Sequence, residues 1–188
     1  GGVATFDTKD RGIGKTVTLL GATLTGTAMD NYSLSSVNTT TATITQLAIT
    51  GSFTAGNKTY DGTTSATVTD YSVATKIGTE DVNISGGTAT FDTKDRGTNK
   101  TVTLVGATLT GTAMDNYSLS SVNTTTATIT QLALTGSFTA QDKTYDGTTS
   151  ATVTSYSVAN KVGTEDVNII GGVATFDTKD RGIGKTVT

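Results

Sequence analysis

With neither histidine nor cysteine, the only side chains here that could move a proton or hold a ligand are carboxylates, lysines, tyrosines and hydroxyls. Glutamate occurs at Glu80 and Glu165, each followed by aspartate (Asp81, Asp166). General acid and base must converge on one substrate, whereas adjacent residues of a strand face opposite sides. Calcium takes six to eight oxygens in one cage, and the acidic groups Asp7/Asp10, Glu80/Asp81 and Asp115 form no dense D-x-D or D-x-N-D string. The expectation is a protein that is not an enzyme, with no catalytic, cofactor-binding or metal-binding residues and no cofactor.

Three further patterns have a chemical and a plainer reading. Tyr60-Asp61-Gly62 places an aromatic beside a carboxylate, as sugar sites do, but the same three residues make a turn in which Asp caps its own backbone and Gly takes a positive φ. The turn is the expected reading. The T-x-T runs (Thr41-Ala42-Thr43, Thr101-Val102-Thr103, Thr128-Ile129-Thr130) resemble ice-binding arrays, yet such arrays need many rungs at strand spacing, so solvated strand faces are expected. Lys58 and Gln46 are candidates by residue type alone for an intramolecular side-chain cross-link.

Behind these residues stands a chain made for strands. Threonine supplies 47 of 188 residues, with 22 Gly and no Pro. Thr is β-branched, stiff at χ1 and suited to a pleated, half-exposed surface. Net charge is −3 and the basic residues are scattered singly, which argues against nucleic acid. No apolar run approaches the roughly 20 residues of a membrane helix. The chain starts at Gly1 without a Met or signal peptide, so a piece of a longer protein is expected, and the cysteine-free, Thr-rich composition suggests an extracellular, bacterial cell-surface location.

Self-similarity dominates the organisation. GGVATFDTKDRGIGKTVT at 1–18 recurs at 86–103 with three changes and at 171–188 with none, a period of 85 residues. Between 1–85 and 86–170, 74 of 85 positions match, and the changes are mild, such as Leu20/Val105, Ile49/Leu134 and Ile77/Val162. That period suits an independently folding domain, not one coil of a solenoid. Apolar residues alternate through Ala42 and Ile44, then resume at Leu47, Ile49 and Phe53 with the parity flipped. A flip means that the chain leaves one core for another, so boundaries are expected at 45/46 and 130/131. Residues 1–45 are then the C-terminal half of a repeat, 46–130 a complete repeat and 131–188 the N-terminal part of another.

Within the period, strands are expected at 47–54, 65–71, 81–85, 88–92, 100–105, 107–111, 116–120 and 126–130, separated by Gly or Asp/Asn clusters. About eight strands at ten-residue spacing imply an all-β fold of tandem immunoglobulin-like β-sandwich repeats. A β-grasp-like α+β repeat is the alternative, with its helix at 71–79. The pattern Ala113-Met114-Asp115-Asn116-Tyr117, mirrored at 28–32, resembles the turn into a tyrosine corner and makes Tyr32 and Tyr117 structural.

Lys58-Thr59-Tyr60-Asp61-Gly62-Thr63-Thr64, repeated at 143–149, is followed by Gly-Thr-Glu-Asp-Val, Gly-Gly-x-Ala-Thr-Phe, Gly-x-x-Lys-Thr-Val and Asp-Asn-Tyr. In this order the motifs resemble the YDG repeat, related to MBG repeats, of large bacterial surface and secreted adhesins, including filamentous-haemagglutinin-like exoproteins. Related repeats often carry Pro in the linker, and Ile44-Thr45-Gln46-Leu47 has none. The resemblance implies a stalk or adhesin repeat with no catalytic residues to carry over. The expected function is a structural spacer that projects a distal binding region; the alternative is an adhesive module in which each repeat binds glycan, host protein or another copy of itself. Expected partners are neighbouring repeats end to end and, by head-to-tail self-association, further copies; no nucleic acid and no membrane insertion are expected.

Overall fold

A computed structural model describes all residues, Gly1–Thr188. They form strands β1 (Val3–Phe6), β2 (Gly12–Leu20), β3 (Thr40–Ile44), β4 (Leu47–Ala55), β5 (Lys58–Thr59), β6 (Ser65–Ala66), β7 (Val68–Val73), β8 (Asn83–Ser85) and β9 (Thr88–Phe91). There follow β10 (Gly97–Val105), β11 (Thr108–Thr110), β12 (Tyr117–Val122), β13 (Thr125–Thr130), β14 (Thr135–Ala140), β15 (Ser150–Ala151), β16 (Val153–Ala159) and β17 (Ala174–Thr175). The only helical pieces are two three-residue 3-10 turns, Met29–Asn31 and Met114–Asn116. The chain is therefore all-β, and the α+β alternative fails at its helix. β7 runs to Val73 and the chain then turns, with Thr75 at φ 66°, because Tyr71 and Val73 are already committed to a strand pairing.

By contacts the chain divides into two compact units, the first made of Gly1–Gly56, Thr64–Thr93 and Asn99–Ala127. In it β1, β2 and β3 form an antiparallel sheet, with Phe6 opposite Val17 and Thr16 opposite Thr41. A second sheet has the order β12-β4-β7. Its central strand is antiparallel to β7 (Phe53 opposite Tyr71) and parallel to β12 (Tyr117 opposite Leu47, Leu119 opposite Ile49, Val122 opposite Gly51). β9 lies antiparallel between β10 and β6, and β8 pairs with β11. Two-residue alternation sends Ile49, Gly51 and Phe53 of β4 inward, as it does Ala89 and Phe91 of β9 and Val102 and Leu104 of β10. Ile49, Val82 and Tyr117 form one fully buried cluster, flanked by Val73, Leu109 and Ala113. On the other face, hydroxyl pairs such as Ser52–Ser72 and Thr54–Thr69, each 2.7 Å, show what the threonine and serine excess does there.

The second unit contains Asn57–Thr63, Lys94–Thr98 and Thr128–Thr188. β5, too short to be read from its sequence, lies parallel to the end of β13, with Lys58 opposite Ile129. β14 pairs with β16 as a two-stranded sheet, and β15 with β17. The observed strands match the expected ones to within three residues, except that 65–71 is broken at Thr67 into β6 and β7.

Candidate functional site

The hairpin loop Asp-Thr-Lys-Asp-Arg occurs three times and is braced the same way each time. After β9, the Asp92 carboxylate accepts from the Thr93 N–H at 2.8 Å and from the Lys100 ammonium at 2.7 Å, and Lys100 also donates to the Thr93 hydroxyl at 2.7 Å. Asp7 with Thr8 and Lys15, and Asp177 with Thr178 and Lys185, repeat this brace, the carboxylate–ammonium distances being 3.1 and 2.9 Å. The lysine holds each of these three carboxyls below the ordinary aspartate range, helped by the following N–H. A loop pinned at its base presents its tip, and the tip residues are Lys9, Asp10 and Arg11 in the first copy.

In the first unit that tip grips side chains of the next period. Lys9 forms an ion pair and hydrogen bond with Glu80. The Arg11 N–H donates to Asn116 Oδ1 and Asn116 Nδ2 donates to Asp10 Oδ1, both at 2.9 Å. The Arg11 guanidinium stands 4.0 Å from Asp115. Tyr117 completes the arrangement from inside: its hydroxyl accepts from the Ile77 N–H at 3.0 Å and donates to Glu80 at 2.6 Å. Lys9 first and Tyr117 second hold the Glu80 carboxyl below its ordinary value, and Glu80 in turn raises both Lys9 and Tyr117.

Tyr117 is thus structural, as expected, but it is not a tyrosine corner. The hydroxyl reaches a backbone group 40 residues upstream and not one in its own turn. Tyr32, its equivalent one period earlier, is exposed.

One period on, in the second unit, Lys94 pairs with Glu165 at 2.5 Å and donates to the Tyr60 hydroxyl at 3.0 Å, and Tyr60 also donates to Glu165. The ammonium stands 5.6 Å from the centre of the Tyr60 ring. Glu165 raises Lys94, while Lys94 and then Tyr60 lower Glu165.

Tyr60-Asp61-Gly62 is a turn. Asp61 Oδ1 accepts from the Thr63 N–H and hydroxyl, both at 2.9 Å, an Asx-turn that Gly62 permits at φ 77°. Lys58 locks it, donating to the Asp61 carboxylate and the Thr63 carbonyl at 2.8 Å. Lys58 and then Thr63 bring the Asp61 carboxyl down to about 2. Lys143, Asp146, Gly147 and Thr148 reproduce this turn, with Asp146 also at about 2. Lys58 is therefore engaged with a carboxylate, and Gln46 donates to the Asp115 and Tyr117 carbonyls at 3.1 and 2.8 Å.

The sequence reading does not link Glu80, Lys9 and Asn116. No signal in the residues joins them, because with 74 of 85 positions repeated every pair of residues recurs at its own separation. These groups can tie two segments together; their charges are already mutually satisfied, and no three acidic side chains gather where they could hold a metal ion. No helix is long and apolar enough to cross a membrane.

A family model described as YDG domain matches residues 1–43, 40–128 and 125–188. No curated protein matches, and no solved structure matches.

Proposed function

The chain belongs to the YDG domain family, and on that footing we propose that it is a structural spacer in the stalk of an extracellular bacterial surface adhesin, holding a distal binding region away from the cell. Its 85-residue repeats are immunoglobulin-like sandwiches placed end to end. The observation that supports this reading is the recurring joint, in which the braced loop of one period grips the next through Lys9–Glu80 in one instance and Lys94–Glu165 in the other. A solvent-exposed ion pair adds little to stability. Several directional contacts at one joint, Lys9 to Glu80 and Asp10 and Arg11 to Asn116, instead restrict orientation. Like joints at constant spacing make reach proportional to copy number.

Small-angle scattering of chains with increasing numbers of periods tests the proposal. The maximum dimension is expected to grow linearly with period number, and Lys→Gln replacement at every joint is expected to lower the slope. Growth with the square root of period number in the unaltered chain, the behaviour of a flexible string, refutes a spacer held by these joints.

A further inference from the structure

We propose that the locked turn at Tyr60-Asp61-Gly62 guards the backbone against spontaneous rearrangement. Lys58 and Thr63 keep Asp61 from forming isoaspartate with Gly62, and Lys143 and Thr148 do the same for Asp146.

The sequence sets the hazard. An aspartate followed by glycine is the pair most open to attack on its side-chain carbonyl by the next amide nitrogen, because glycine has no Cβ to shield that nitrogen. Asp61-Gly62 and Asp146-Gly147 are the two Asp-Gly pairs of the chain, which has no Asn-Gly. In the reaction the Gly62 nitrogen gives up its proton and bonds to Asp61 Cγ. The bond from Cγ to the hydroxyl of the neutral carboxyl breaks, and water leaves. Water then opens the five-membered imide. Opening at Cγ restores aspartate; opening at the Asp61 backbone carbonyl leaves the chain running through the side chain, one carbon longer.

The turn opposes the first step in two ways. Asp61 Oδ1 accepts from the Thr63 N–H and hydroxyl at 2.9 Å and from the Lys58 ammonium at 2.8 Å, so turning Cγ towards the Gly62 nitrogen breaks all three bonds. The lysine also favours the ionised carboxyl, from which no neutral water can depart. Lys58 is itself aimed by the Thr63 carbonyl at 2.8 Å and hydroxyl at 3.1 Å. Every one of these partners lies within five residues, and Lys143, Asp146 and Thr148 reproduce the whole set. The guard is therefore carried by the motif itself. What it protects is a segment fixed on both sides: the Tyr60 N–H donates to the Thr130 carbonyl at 2.9 Å, and the Thr64 carbonyl accepts from the Phe91 N–H at 2.8 Å. An extra backbone carbon between these two points breaks one bond or the other.

The test is to keep the full chain for weeks at mildly acidic pH and body temperature, and to read isoaspartate at 61 and at 146 separately by mass spectrometry with electron-transfer fragmentation. Each pKa unit is a factor of ten in neutral carboxyl, and solvent screening takes back part of the fall from 3.8 to about 2, so both aspartates are expected to isomerise on the order of tenfold more slowly in the native chain than in urea. Lys58→Gln is expected to raise the rate at Asp61 several-fold and to leave Asp146, in the same molecule, unchanged; Lys143→Gln reverses the pattern. Thr63→Val keeps the N–H donor, loses the hydroxyl, and is expected to raise the Asp61 rate by less. Native and unfolded chains that isomerise equally fast overturn the proposal. So does Lys58→Gln if it accelerates neither aspartate or both alike.

Discussion

Ile49→Ala and Leu134→Ala make the same kind of truncation one period apart, at sites that differ in burial. Ile49 is 1 % exposed and packs with Val82 and Tyr117 beneath β12. Truncating a fully buried Ile costs about 2–5 kcal/mol, transfer and cavity terms together. Because this cluster is packed from strands on several sides, a central value of about 3 kcal/mol is expected. Leu134 is 38 % exposed beside a groove that water already enters, so little cavity is created and under about 1 kcal/mol is expected. With a urea m-value of about 1–3 kcal/mol/M, Ile49→Ala moves the midpoint down by about 1–3 M, and Leu134→Ala by a fraction of that. The assay is urea unfolding followed by far-ultraviolet circular dichroism, at a concentration where the chain is monomeric. Equal shifts for the two variants would show that β12 does not create the burial at Ile49.

Other expectations follow from single contacts. Tyr117→Phe, which strands the Ile77 N–H and removes a donor from Glu80, lowers the melting temperature, whereas Tyr32→Phe leaves it unchanged; identical melts would contradict the role given to the Tyr117 hydroxyl. The Asp61 and Asp146 carboxyls, held at about 2 by lysine and the turn N–H, titrate well below an unfolded-chain aspartate in carbon-13 NMR. Since their folded values are depressed, the stability they contribute is present above the unfolded aspartate value near 3.8 and is lost as pH falls towards 2; stability unchanged by Asp61→Asn at neutral pH would break that linkage. Gly111 has φ 103°, and a Cβ there would lie 2.3 Å from the Asp81 carbonyl oxygen, while Gly26 at φ 116° meets nothing within 4 Å. Gly111→Ala is therefore expected to destabilise the chain by more than Gly26→Ala in the same urea assay, and the reverse order would count against the observed approach of Asp81.

The period, the all-β class and most strand positions could be read from the residues because each depends on local chemistry. Thr and Val stiffen an extended backbone, alternation at Leu47, Ile49 and Phe53 marks a face, and Asp61-Gly62 makes its own turn within a few bonds. The break at Thr67 was not visible in the same way, because there the Thr67 carbonyl accepts from the Gly56 N–H just past β4. The helix considered at 71–79 failed for a related reason: the pairing of Tyr71 and Val73 with β4 outweighs the weak propensity of a short segment. Only the tertiary structure could bring Lys9 to Glu80, Asn116 to Asp10, or the Tyr117 hydroxyl to the Ile77 N–H, since these partners lie 71, 106 and 40 residues apart. Local sequence carries no record of such closures. β12 itself, which begins at Tyr117, is set beside β4 by a parallel pairing, and a parallel pairing needs a long crossover, here most of a repeat, to bring its two strands together.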